Sequence, residues 1–249
     1  MEYKNELNKV QKRLLEMGKV IAGILEHNDI PYMVTFGTLL GAVRHGGFIP
    51  WDDDFDLFLF DDTYEKAMMV LEKKLPSDMF LENSKSEPLY FHSYAHVKDL
   101  GTVTSCRLFP QDGLYSHKGL SIDLYKAVPM KESELDKFII QEHIKYLKKR
   151  MQIGSIGKNE FEEKIAMLND KITNIEPNIS DKQIFGMSFP EPGMEVDKVF
   201  PLKKIKFEDT EFYAPSDSDS ILKGFYGDYM KLPPEKDRIP HYDFVKFLD

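Results

Sequence analysis

"GTLLGAVRHGGFIPWDDDFDLFLF", residues 37–60, sets four carboxylates, Asp52, Asp53, Asp54 and Asp56, between a glycine-rich stretch and a run of large hydrophobes. A solvated acidic turn accounts for Asp52 and Asp53. It does not account for Asp56, which falls inside a run that reads as buried strand, where an unpaired carboxylate is costly. Side chains two apart on a strand leave the same face, so a strand over "DFDLFLF" (54–60) aims Asp54 and Asp56 at one point. Such a pair suits a hard divalent cation, Mg²⁺ or Mn²⁺, that completes its shell with water and phosphate oxygens. Asp52 is a further ligand if the strand starts early, or an acid that orients the others; Asp53 is expected to point away. A calcium-binding EF-hand loop fails, because Leu57 stands where its glycine is required and Thr63 where its glutamate is required.

Outward from this stretch, "PYMVTF" (31–36) reads as a strand, and the small residues after it suit a tight turn and short helix, with Gly41, Gly46 and Gly47 serving the turn. Upstream, Leu7, Val10, Leu14, Met17, Ile21 and Leu25 recur at helical spacing, predicting an amphipathic helix to about His27. Downstream, "DTYEKAMMVLEKKL" (62–75) is a helix with Asp61, Asp62 or Thr63 as its N-cap. Short β-like runs follow from Phe80 to Leu108, and "GLSIDLYKAVP" (119–129) is a further strand that embeds Asp123 between Ile122 and Leu124. Two helices joined near Gly154 and Gly157 form a hairpin over about 132–176. Short strands over 198–215, a helix ending near Gly227 and an irregular, proline-punctuated tail complete the chain. The fold class is α+β: one domain over 1–249, with its core at about 28–129 and a C-terminal subregion at about 196–249.

The 249 residues and 42% hydrophobic content support a core. A net charge of −9 argues against a nucleic-acid-binding surface, while leaving room for a local basic pocket. Cys106, the single cysteine, excludes an internal disulfide and a cysteine-cluster zinc site; it reads as a core thiol in a reducing compartment. The charged N-terminal stretch has no signal-peptide pattern, and no apolar run is long enough to span a membrane. The expected location is cytoplasmic, the inner membrane face included.

Strand, Gly37-Thr38, helix, Asp54-x-Asp56 and later Asp123 resembles the nucleotidyltransferase pattern. That resemblance implies a mixed-sheet core with flanking helices, Gly37 and Thr38 opening a helix at nucleotide phosphates, and Asp54, Asp56 and Asp123 holding the metal. "FGTLLGAVRHGGFIPWDDDFDLFL" (36–59), together with "AHVKDLGTVTS", "GLSIDLYKAVP", "VFPLKKIKFEDTEFYAP" and "YGDYMKLPP", is closer still to the LicD family, which includes the fukutin-related proteins. It covers most of 28–129 and 196–241, leaving the first helix and the helical hairpin unmatched. It implies Mg²⁺-dependent transfer of phosphocholine, or a related phospho-alcohol, from a CDP-linked donor such as CDP-choline to a hydroxyl of a glycan or lipid-linked glycan, releasing CMP. His96 stands where many members carry lysine, Lys98-Asp99 replaces an arginine-aspartate pair, and Lys126 replaces a small turn residue.

Asp123, from a second strand, is the candidate general base as well as the third ligand. Arg44 either grips donor phosphate bidentately or pairs with the acids. Lys98 is the basic residue that the resemblance places near phosphate. Lys231, Arg238 and His241 are candidates to close over it from the tail. Trp51, Tyr226 and Tyr229 either cover a quaternary ammonium or brace their loops. Two other readings stand beside the transferase: nucleotidyl transfer releasing pyrophosphate, and a non-catalytic binding module on the same fold.

Overall fold

The structure, a computed structural model, describes residues 2–106, 113–176 and 178–248. The side chain of Cys106, expected in the core, lies outside the described residues, as does the continuation of its strand to Leu108. The fold is α+β. Helix α1 (Glu2–His27) leads into β1 (Tyr32–Val34), α2 (Phe36–His45), β2 (Asp56–Phe60) and α3 (Asp61–Lys74). Then come β3 (Met79–Glu82), β4 (Ala95–Asp99), β5 (Thr102–Cys106) and β6 (Ser121–Lys131), followed by the helical pair α4 (Leu135–Gln152) and α5 (Lys158–Thr173). The chain continues through β7 (Gln183–Gly186), β8 (Met194–Glu195), α6 (Val196–Val199), β9 (Lys203–Phe207), β10 (Thr210–Ala214), α7 (Ser218–Tyr226) and β11 (Tyr242–Phe247).

The main sheet runs β1-β2-β6-β4-β3, with β7 extending from the far end of β6 and β8 beyond it. Among the described residues, only β2 and β6 pair in parallel, with Asp56 opposite Asp123 and Leu57 opposite Leu124. On the other side of β6, antiparallel β4 sets His96 opposite Asp123. Residues opposite one another share a face, so three adjacent strands carry Asp56, Asp123 and His96 in one row. All five residues of β2 are buried, which explains why its sequence is apolar apart from Asp56.

Helix α1 forms because its apolar residues make one stripe: Val10, Leu14, Met17, Ile21 and Leu25 are fully buried. Its role extends to the acidic loop, since the Gln11 amide donates to the carbonyls of Ile49 (3.1 Å) and Asp52 (2.8 Å). Helix α2 ends at Gly46, whose φ of 73° is the left-handed cap that favours glycine. Helix α3 begins one residue earlier than the three cap candidates allow: Phe60 occupies the N-cap with no side-chain bond, and Asp61 and Asp62 act instead on the first-turn dipole. The hairpin α4–α5 buries Leu147, Ile156 and Leu168 in a cluster of its own.

The tail departs from the irregular extension expected. β11 pairs antiparallel with β5, across more than 130 residues of chain. Long-range pairing leaves little local signature, which is why the proline-rich approach to it read as loop.

Behind the acids, Phe55 is fully buried with ring contacts to Phe48, Phe207 and Phe212 at 6.1, 5.5 and 5.3 Å. Phe55→Ala is therefore expected to lower stability by about 3–5 kcal/mol, read from the urea unfolding midpoint; a loss under 1 kcal/mol, on the order of a surface change, contradicts this packing.

Candidate functional site

A cavity of about 630 Å³ opens over the row formed by β2, β6 and β4. Its acidic floor is Asp52, Asp54, Asp56 and Asp123, with Phe36 and Gly37 beside them. His96, Lys98, His117, Lys118 and His241 supply basic groups, and Tyr94, Tyr125, Phe189 and Tyr226 supply aromatic walls.

Each carboxylate is held by an identifiable local device. Asp56 opens β2: its N–H donates to the Thr38 hydroxyl (2.8 Å) and its carbonyl accepts from the Thr35 N–H (3.2 Å). Thr38, expected at the donor phosphate, is thus a buried anchor for Asp56 and does not line the cavity. Asp54 precedes the strand, so the loop, rather than a shared strand face, brings it alongside Asp56. On Asp123, Oδ2 accepts from the Tyr125 hydroxyl at 2.9 Å, and Oδ1 lies 3.6 Å from His96 Nε2. The other His96 nitrogen, Nδ1, is 3.1 Å from Oε2 of buried Glu82, and Lys98 Nζ is 3.9 Å from that same oxygen.

Asp53 was expected to point away from the site. It is fully buried and accepts backbone N–H bonds from His241 (2.7 Å) and Tyr242 (3.0 Å), pinning the tail beside the acids. His241 Nδ1 then sits 3.1 Å from Asp53, 3.3 Å from Asp54 and 3.8 Å from Asp52. The Asp53 bond and the neighbouring charges push its imidazole up to about 9, so it is a cation at neutral pH. It reaches the acids themselves, where a phosphate contact was expected.

Burial raises the carboxyls of Asp52, Asp54 and Asp56, and their mutual repulsion adds to the effect on Asp52 and Asp56. Asp54 Oδ1 is enclosed with no hydrogen-bond partner among the described residues. A β-carbon on Gly37 would come within 2.8 Å of Asp52 Oδ2 and 3.3 Å of Asp54 Oδ1, so only glycine leaves these two carboxylates their place. An all-oxygen donor set, an excess of negative charge and an orphaned buried oxygen fit a hard divalent cation. Among the described residues, the trio with ligand atoms within 4.8 Å of one another is Asp52, Asp53 and His241. That trio is the poorer candidate, since Asp53 is committed to backbone amides and His241 carries a proton.

Arg44 donates to the Tyr229 carbonyl (2.6 Å) and to His45 Nε2 (3.0 Å), linking α2 to the segment after α7. Arg238 bonds the Pro233 carbonyl and lies over the Trp51 ring, 5.2 Å from its centroid. Lys231 is exposed and does not line the cavity; Tyr229 bonds Asp219 through its hydroxyl. Lys98, Gly37 and Tyr226 do line it. Glu82, Gln11 and Tyr125, which hold the site from behind, carried no motif of their own.

Residues 29–151 match the family model described as LicD/FKTN/FKRP, nucleotidyltransferase domain. Over that span the chain is similar to the LicD-family nucleotidyltransferase domain. The matched span contains every acid on the cavity floor. The chain is 26% identical over 245 residues to the lipopolysaccharide cholinephosphotransferase LicD of Haemophilus influenzae, covering 88% of this chain and 89% of that protein. It is 43% identical over 109 residues to the human ribitol 5-phosphate transferase FKRP, covering 37% of this chain and only 22% of that protein. Among the described residues, no helix is long and apolar enough to cross a membrane.

Asp53→Asn puts an amide where two backbone N–H groups need an acceptor. It is expected to cost about 1–3 kcal/mol and to accelerate hydrogen exchange at the amides of His241 and Tyr242. Unchanged exchange at both amides contradicts the pinned tail.

Proposed function

We propose that this LicD-type phosphotransferase moves phosphocholine, or a related phospho-alcohol, from a CDP-linked donor to a hydroxyl of a cell-surface glycan or its lipid-linked precursor, releasing CMP. The observation that carries the reading is the meeting of Asp52, Asp54, Asp56 and Asp123 in one cavity beside the N-terminus of α2. The relatives' names, a cholinephosphotransferase and a ribitol 5-phosphate transferase, support transfer of a phospho-alcohol. A cytoplasmic setting, with peripheral membrane contact when the acceptor is lipid-linked, belongs to the same proposal.

Asp52, Asp54, Asp56 and Asp123 would hold Mg²⁺, which when bound neutralises pyrophosphate charge and favours the ionised acceptor oxygen. The chain's own groups do the rest. The backbone at Gly37 opens α2 toward the cavity, where free N–H groups and the helix dipole favour donor phosphate. Lys98 and Lys118 add positive charge along the same wall. Asp123 takes the acceptor hydroxyl's proton as the phosphorus–oxygen bond to the acceptor forms and the bond to CMP breaks. Tyr125 and His96 fix the carboxylate of Asp123, and Glu82 fixes His96. Alignment is thus built into the sheet before substrate arrives.

Incubation with CDP-choline, Mg²⁺ and candidate glycans should release CMP and add the mass of phosphocholine to the acceptor. Pyrophosphate release with an added nucleotide mass would replace this reading by nucleotidyl transfer. Asp54→Asn and Asp56→Asn should each lower turnover by at least about a hundredfold, and full activity in both would leave a binding module. Gly37→Ala should lower turnover about tenfold or more while thermal unfolding stays near wild type, because its methyl group displaces the Asp52 carboxylate.

A further inference from the structure

The acids and lysines of the cavity serve phosphate and proton chemistry, and along its aromatic wall the Tyr125 hydroxyl holds Asp123 while the ring faces are left without a task. Tyr94 and Tyr125 have ring centroids 4.5 Å apart, and Phe189 lies 5.1 Å from Tyr125 and 6.3 Å from Tyr94, at 71° to both. All three rings line the cavity. Glu191 follows Phe189 after Pro190, its N–H donating to the Phe189 carbonyl at 2.8 Å, so one short turn carries both side chains to the same space.

The Glu191 carboxylate is half-buried and has no hydrogen bond or ion pair among the described residues. Burial alone accounts for the rise in its pKa, with no contribution from a cation among the described residues. Its field does reach the Tyr226 hydroxyl, which also feels Asp56, Asp54 and Asp52, so Glu191 belongs to the same electrostatic neighbourhood as the acidic floor. Ring faces carry negative potential and attract cations, most strongly where water is excluded. A carboxylate in the same cavity as such faces accepts hydrogen bonds from the hydroxyls of a neutral polyol, but a positively charged nitrogen gains from the carboxylate's charge and from the ring faces together.

We propose that Glu191, with the ring wall of Tyr94, Tyr125 and Phe189, selects a donor whose alcohol carries a positively charged nitrogen over one carrying a neutral polyol. The selection rests on the reading of this cavity as a CDP-alcohol site. Glu191 determines specificity and takes no part in bond making.

The test measures CMP release, as kcat/KM, from CDP-choline and from CDP-glycerol for the full chain with Mg²⁺ and one acceptor. Wild type should favour CDP-choline by about tenfold or more. Glu191→Gln, which keeps shape and removes charge, should lower kcat/KM for CDP-choline by about tenfold and leave CDP-glycerol within about twofold. Glu191→Lys should lower it further for CDP-choline only. A wild-type preference for CDP-glycerol, or variants that affect both donors alike or neither, overturns the selection while leaving phospho-alcohol transfer intact. CMP release from neither donor overturns the phosphotransfer reading, and the selection with it.

Discussion

The parallel pairing of β2 with β6 is the constraint on which the rest of this structure depends. Antiparallel neighbours would let the two strands present their acids at opposite ends of the sheet. The parallel register sets Asp56 directly opposite Asp123, and the β6–β4 pairing then adds His96 to the row. No chain folds carboxylates together for stability: desolvation and mutual repulsion both oppose it. The surrounding structure supplies what opposes that cost. Thr38 and Thr35 grip the backbone of Asp56, Gln11 holds the loop carbonyls, and the Phe55 cluster closes the space behind.

The tail belongs to the same device. By accepting the backbone N–H groups of His241 and Tyr242, Asp53 brings an imidazolium into the acid cluster, and β11 then continues the pairing along β5. A positive charge at that point offsets part of the repulsion in the absence of a metal ion. The C-terminal segment is thus part of the site wall, and α1, at the other end of the sequence, supports the acidic loop through Gln11.

What the sequence made legible was the chemistry that depends on residue type and short spacing. An aspartate inside "DFDLFLF" and another inside "SIDLY" could be read as buried acids, because buried strands seldom carry them without a use. Gly37 was legible as a place of close approach, although what approaches it is a pair of carboxylates. Less legible was anything routed through the backbone of a distant segment. Thr38 beside Gly37 looked like a phosphate ligand, but its hydroxyl is needed by an N–H eighteen residues on. Asp53 looked like a solvated neighbour, and its partners lie 188 and 189 residues away. Arg44 likewise meets a carbonyl 185 residues away rather than a phosphate. Residue type gave no hint of these pairings, which exist only once the sheet has assembled.

The sharing of one hard cation by four acids is the centre of the proposed chemistry, and Mn²⁺ binding followed by electron paramagnetic resonance addresses it most directly. The wild-type chain should show saturable Mn²⁺ binding that Mg²⁺ displaces and that the double variant Asp56→Asn, Asp123→Asn abolishes while remaining folded. Mn²⁺ binding of unchanged affinity in that folded double variant, or no saturable binding to the wild type, would contradict it.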